Sequence, residues 1–125
     1  MTCESVFFKK HELQCNHCGR CEMDDAFLGK LDILRYAYGK PIYLTSAYRC
    51  PEYNDKISKT GANGPHTTGK AVDIRVYGTN AAELLKHACN IGFMGLGFSQ
   101  KGDHKQRFIH IDDIDSELRP WIFSY

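Results

Sequence analysis

Residues 66–74 have the sequence HTTGKAVDI, and the fold is organised around this stretch. Its second half is rich in β-branched residues and predicts a strand over residues 71–76, in which period-2 alternation places Asp73 opposite the aliphatic side chains. Gly69 permits a sharp turn just before that strand, so His66 can fold back towards Asp73. We therefore expect an imidazole and a carboxylate on one side of a sheet.

A second stretch, FIHID at residues 108–112, has the same alternation and places His110 on the face opposite its two isoleucines. A single histidine on a strand is more often a packed or surface residue than a metal ligand, so the prediction depends on the combination. Two imidazoles and one carboxylate, with a fourth position left to water, form an open catalytic zinc site. The predicted ligands are His66, Asp73 and His110.

Three motifs follow one another along the chain: SAYR at residues 46–49, HTTGKAVDI at 66–74 and FIHID at 108–112. This order resembles the zinc D-Ala-D-Ala carboxypeptidase and murein endopeptidase family, which is related in fold to the hedgehog N-terminal domain. The resemblance covers residues 24–122. It implies one catalytic Zn²⁺ ion and a peptidoglycan stem peptide as substrate, which the protein would reach after release or as part of a phage particle.

Arg49 closes the first motif. In the resembled family the arginine of this motif lies beside the scissile carbonyl or the substrate carboxylate, so the resemblance implies that Arg49 stabilises the developing oxyanion. The alternative is a surface arginine in an ion pair. Ser46 and Tyr48 are expected to shape the same rim and to bind substrate.

The general base has several candidates. Relatives place a glutamate or histidine several residues before the last ligand, and here His104 and Asp103 precede His110 by six and seven residues. Where some relatives have glutamate, three residues before His110, this chain has Arg107. Asp112 faces the same way as His110, so it could be the base or could orient that ligand.

Cysteines cluster near the start of the chain as Cys15-x-x-Cys18-x-x-Cys21. In a cytosolic chain, this spacing favours metal or redox chemistry over a disulfide framework. A closed zinc site needs four ligands, and Cys50 could be the fourth. A second, structural ion could therefore bind here. Free thiols or a disulfide among these cysteines are an equally weighted alternative.

The sequence of 125 residues is long enough for one core but not for two. Its formal net charge of +1 gives no reason to expect nucleic acid or an acidic membrane as a partner. Residues 1–10 contain no apolar run of signal-peptide length, and no other stretch approaches a membrane span. We expect a monomer that is made in the cytoplasm without a signal peptide.

The predicted fold is an α+β domain with a small, mainly antiparallel sheet that carries the metal site on one face and packs helices on the other. Residues 1–23 are expected to form a cysteine-rich N-terminal lap of the same unit, and residues 24–125 the peptidase domain. Helices are predicted over residues 24–38, from Pro51, and from a cap at Thr79 or Asn80 to residue 91. Strands are predicted over residues 42–46, 71–76, 94–98 and 108–112.

Two functions from different classes fit these features. The first is a zinc peptidase, and the second is a non-catalytic hedgehog-type zinc domain that binds a protein or cell-wall partner. Arg49, together with titratable groups in residues 103–112, favours the enzyme. A cysteine-rich zinc module that binds nucleic acid is disfavoured by the balanced charge.

Overall fold

The computed structural model describes residues 1–125 and has an α+β architecture, as predicted. The α-helices are α1 (Lys10–Leu13), α2 (Asp25–Tyr38), α3 (Pro51–Ile57) and α4 (Gly78–Ile91). The strands are β1 (Tyr43–Ser46), β2 (Ala71–Arg75), β3 (Gly95–Ser99), β4 (Phe108–Asp112) and β5 (Trp121–Ser124). None of the helices is both long enough and apolar enough to cross a membrane.

The five strands form one sheet in the order β1-β2-β4-β3-β5. Neighbouring strands are antiparallel except for β3 and β5, which are parallel. This confirms the prediction of a mainly antiparallel sheet. Strand β5 was not predicted, because Trp121 and Ile122 are both exposed and the segment lacks the alternation of a half-buried strand.

Helix α2 agrees with its predicted bounds to within one residue. The Asp24 carboxylate caps it by accepting a hydrogen bond of 3.0 Å from the backbone N–H of Phe27. Gly39 ends it with φ at 74°, a left-handed conformation that glycine adopts without strain. The buried face consists of Phe27, Leu28, Leu31, Leu34 and Tyr38.

Helix α4 begins earlier than predicted. Its N-cap residue is Tyr77, which makes no side-chain capping bond, so the predicted cap at Thr79 or Asn80 is wrong. The Asn80 side chain instead accepts a hydrogen bond of 2.8 Å from the Lys40 ammonium group. A side chain held by a distant partner is not available to cap its own helix.

The aliphatic face of the sheet belongs to a single core cluster that also includes the buried faces of α2 and α4. From the sheet it contains Val72, Ile74, Leu96, Ile109 and Ile111. Burying each such side chain contributes roughly 1.5–3 kcal/mol. The N-terminal segment adds Phe8, Leu13, Cys15 and Met23 to the same cluster. Because one face of the sheet is committed to the core, the opposite face is free to carry polar groups.

Candidate metal centre

A row of paired residues crosses all five strands and holds the candidate centre. Asp73 on β2 pairs with Ser46 on β1 and with His110 on β4. His110 also pairs with Gly97 on β3, which pairs in turn with Phe123 on β5. Directly paired residues share a face of the sheet. Asp73 and His110 therefore meet on the polar face.

His66 reaches the same point from the short 3₁₀ helix Pro65–Thr68, just before β2. Gly69 makes this approach possible, since it has φ at 75° and a Cβ atom there would collide with the backbone of the N-terminal segment. The Nε2 atom of His66 lies 3.3 Å from Asp73 Oδ2, and the Nδ1 atom of His110 lies 2.9 Å from Asp73 Oδ1. The three donor atoms all lie within 4.8 Å of one another.

Each imidazole is oriented by an acceptor on its far nitrogen. His66 Nδ1 donates to the Ala47 carbonyl oxygen at 2.9 Å, and His110 Nε2 donates to Asp112 Oδ2 at 2.7 Å. A neutral imidazole has one N–H group, so in the neutral form these bonds leave the other nitrogen of each ring with a lone pair available to a metal. This is the arrangement by which proteins prepare histidines as metal ligands.

Asp112 is fully buried and all of its acceptor capacity is in use. Arg119 donates to both of its oxygens at 3.0 Å, and the backbone N–H of Ile114 adds a bond of 3.2 Å. Burial opposes ionisation, but the bonds from His110 and Arg119 dominate and hold the pKa of Asp112 at about 2. Asp112 is thus placed to orient a ligand, and it has no free oxygen with which to act as a general base.

Asp73 and His110 strongly shift each other's protonation equilibria. Burial opposes ionisation of Asp73, yet its contacts with the His110 and His66 imidazoles hold its pKa well below the usual range. Burial also disfavours a charged His110, but Asp112 and Asp73 outweigh it and raise the pKa of the imidazole to about 9. The residues fit a divalent metal with nitrogen and oxygen ligands.

Arg49 lies beside this centre and is held in place. Its guanidinium donates to Ser46 Oγ at 2.9 and 3.2 Å and to Asn54 Oδ1 at 2.8 Å. Its backbone N–H donates to the His66 carbonyl oxygen at 3.0 Å. Three of its five side-chain N–H groups are used in this way, so the remaining ones are free for an external acceptor.

The structure does not bring Asp103 and His104 to the centre. His104 stacks on Tyr77 with ring centroids 3.9 Å apart, and both residues are exposed. Both residues belong to the loop between β3 and β4. The end of this loop is attached to the sheet by a hydrogen bond of 3.2 Å from the Val76 N–H to the Arg107 carbonyl oxygen. Val76 is three residues after Asp73, which corresponds to roughly 10 Å along the strand. Neither predicted base can reach the metal ligands in this conformation.

Tyr48 also differs from its prediction. Its side chain is buried, and its hydroxyl donates to Glu22 Oε2 at 2.9 Å. Burial, followed by this contact, raises the pKa of Tyr48 to about 12. The hydroxyl therefore anchors residues 46–49 to the N-terminal lap. Of the two predicted substrate-binding residues, Ser46 and Tyr48, only Ser46 lies at the rim of the metal centre.

Several residues near the centre were not predicted. Arg119 fixes Asp112, and the Phe123 ring lies 5.5 Å from the His110 ring, between centroids. The Tyr125 hydroxyl is close enough to feel the charges of the centre. Its pKa is raised to about 12, mainly by burial and also by the negative charges of Asp73 and Asp112. One sequence signal could have indicated this crowding, namely the alternate glycines of β3, because glycine inside a strand often marks close approach of another group.

Five of the six cysteines fall into two groups, and the sixth, Cys89, is free and exposed. Cys21 forms a disulfide with Cys3, which separates it from Cys15 and Cys18, the two cysteines with which its spacing had grouped it. Cys15, Cys18 and Cys50 are free, and their sulfur atoms lie within 4.8 Å of one another. Burial opposes ionisation of Cys15, but hydrogen bonds from nearby backbone N–H groups, that of Cys50 foremost, lower the pKa of its thiol to about 7.

An α+β sheet that presents two oriented imidazoles, a carboxylate and a neighbouring arginine is typical of metal-dependent hydrolases. The family model described as Peptidase M15 matches residues 6–112. The chain belongs to the peptidase M15 family, whose members are metal-dependent peptidases. The resemblance inferred from the three motifs is thereby confirmed. No curated protein matches the chain.

Proposed function

We propose that the protein is a zinc-dependent peptidase that hydrolyses peptidoglycan stem peptides, as a D-Ala-D-Ala carboxypeptidase or a murein endopeptidase. The observation that carries this proposal is the pair of imidazoles around Asp73, each with its far nitrogen bound to an acceptor. Such bonds fix the ring orientation and the tautomer before any ligand arrives. His66, Asp73 and His110 hold the metal.

Zinc is the proposed metal because its catalytic sites use three nitrogen or oxygen ligands and keep one position open. When bound, Zn²⁺ supplies Lewis-acid chemistry, polarising a carbonyl and lowering the pKa of a water molecule to about 7. The protein's own part is to hold the proton of His110 on Nε2, where the buried Asp112 carboxylate accepts it at 2.7 Å.

Arg49 is the proposed substrate-binding cation. Its anchors, Ser46 and Asn54, leave two N–H groups free, and Asn54 is itself completely buried. A preorganised cation beside the reacting carbonyl stabilises the oxyanion more in the transition state than in the ground state. A stem peptide also carries a terminal carboxylate, which the planar guanidinium can bind through two N–H groups.

The proposed place of action is the cell wall, reached after release or from a phage particle, with the protein acting as a monomer. Digestion of purified murein tests the function. The zinc-loaded protein should release fragments, whereas protein treated with chelator and the His110→Ala variant should release none.

Mass analysis of the fragments identifies the bond. Loss of a terminal D-Ala would indicate a carboxypeptidase, and a cut within the stem or cross-link an endopeptidase. Zinc-loaded protein that cleaves none of a panel of mureins would favour the non-catalytic, hedgehog-like alternative.

A further inference from the structure

Two free thiols of the N-terminal lap lie close to a third free thiol from a distant part of the sequence. Cys15 and Cys18 belong to one turn, and Cys50 is the N-cap residue of α3. Cys15 and Cys50 are buried, whereas Cys18 is exposed. All three sulfur atoms lie within 4.8 Å of one another, so small side-chain adjustments would bring them around a single tetrahedral ion.

Two of the three sulfur atoms, those of Cys15 and Cys18, accept hydrogen bonds from neighbouring N–H groups. The Cys15 sulfur accepts a hydrogen bond from the backbone N–H of Cys50 at 3.4 Å. Arg20 Nε donates to the Cys18 sulfur, also at 3.4 Å. Thiolates this close together repel one another unless a cation lies between them.

A fourth donor lies next to the cluster. His17 is in the turn between Cys15 and Cys18, and its Nδ1 atom is 3.9 Å from the Cys50 sulfur. Its ring stacks on Tyr53, with the two planes 1° apart and the centroids 5.1 Å apart. The ring is therefore held at the edge of the cluster.

We propose that Cys15, Cys18 and Cys50, with His17 as the fourth ligand, form a closed structural site for a thiophilic cation of the zinc type. Three thiolates and one imidazole are a standard donor set for structural zinc. The site shares no residue with the centre around Asp73, so it stands independently of the proposed peptidase activity.

The location of the site gives it a mechanical role. Cys50 directly follows Arg49, and the neighbouring Tyr48 N–H already donates to the Leu13 carbonyl oxygen at 3.1 Å. A cation shared between Cys15 and Cys50 would tie the N-terminal lap to the segment that carries Arg49. The second ion would thus position the arginine without touching substrate.

Metal analysis of the purified full chain tests the proposal, with zinc as the probe. Wild type should bind two zinc ions per chain, and Cys18→Ser and His110→Ala should each bind one. Cys89→Ser is the matched control, because Cys89 is also an exposed free cysteine, and it should keep both. A wild type that binds one zinc ion, lost in His110→Ala and retained in Cys18→Ser, would overturn the thiolate site and leave the peptidase proposal intact.

Cobalt(II) distinguishes the two centres by their spectra. Cobalt-loaded His110→Ala should retain the intense near-ultraviolet sulfur-to-metal charge-transfer band, and Cys18→Ser should lose it. His17→Ala should keep the band while its zinc affinity falls tenfold or more. Absence of the band in cobalt-loaded wild type would count against thiolate ligation, and unchanged affinity in His17→Ala would remove the fourth ligand.

Alkylation of native wild type needs no variant. Cys18 and Cys89 are both exposed, so burial cannot protect either from iodoacetamide. In zinc-loaded protein Cys89 should react rapidly and Cys18 slowly, and chelator should make their rates similar. Equal rates before chelation, or a disulfide among Cys15, Cys18 and Cys50 in freshly purified protein, would overturn the proposal.

Discussion

Asp73 and His110 face each other in register on adjacent antiparallel strands, with Oδ1 of the carboxylate 2.9 Å from Nδ1 of the imidazole. The far nitrogen of the same ring is bound to Asp112, which Arg119 clamps through both oxygens. One histidine thus links the metal-facing carboxylate to a buried ion pair. The centre is preorganised by contacts that lie outside the ligand set.

Asp112→Asn should weaken zinc binding roughly 10–100-fold, because the amide no longer supplies the charge that orients His110 and raises its basicity. Isothermal titration or competition with a chromophoric chelator measures the change. Asp115→Asn is the control, since Asp115 is exposed and forms no ion pair. Equal affinities for the two variants would show that Asp112 does not support the metal.

Arg49→Ala should retain zinc and lose roughly 100-fold or more in kcat, the usual cost of removing a group that stabilises an oxyanion. Arg49→Lys should recover only part of the rate, because an ammonium group lacks the planar fork. Exposed Arg75 on β2 provides the control substitution to alanine. A loss confined to KM would instead assign Arg49 to substrate binding alone.

Substitution of His104 or Asp103 by alanine should change kcat less than about threefold, because the loop that carries them is attached roughly 10 Å along the strand from Asp73. Steady-state assays of the two variants measure this. A loss of 100-fold in either would show that the loop moves towards the metal during turnover and would restore the residue as the general base.

The metal-free protein should lose stability as the pH rises from about 6.5 to about 9. The pKa of His110 is raised from 6.5 in the unfolded chain to about 9 in the folded one, so its contribution is complete below the lower value and disappears through the upper one. Urea unfolding in chelator at several pH values tests this. Apparent zinc affinity should rise over the same range, as the metal must displace that proton. His110→Asn should flatten the stability trend and, because it removes a ligand, should lose zinc binding at this centre.

Gly97→Ala should destabilise the fold by about 1–3 kcal/mol, since overpacking forces neighbours to shift. A Cβ atom there would overlap the Phe123 ring, which lies next to His110. Gly29→Ala in α2 is the control, with open space around it and a helical position where alanine is stabilising by about 0.5–1 kcal/mol. Similar unfolding midpoints for the two variants would contradict the tight packing of β5.

The sequence by itself determined the features that depend on neighbouring residues. Alternation in residues 71–76 and 108–112 assigns each side chain to a face, and helix α2 carries its own cap and its own terminal glycine. The order of three motifs predicted the family. These are local signals, because backbone geometry converts spacing directly into direction.

Only the tertiary structure decided which distant groups meet. The bond between Asp112 and Arg119, the addition of β5 beside β3, and the pairing of Cys21 with Cys3 all depend on register and chain path. Tyr48 and His104 were predicted to belong to the active site. Instead, the Tyr48 hydroxyl binds Glu22 and the His104 ring stacks on Tyr77. The physical reason is that such contacts are chosen by competition among all the surfaces that packing brings together, and no periodicity in the chain encodes the outcome.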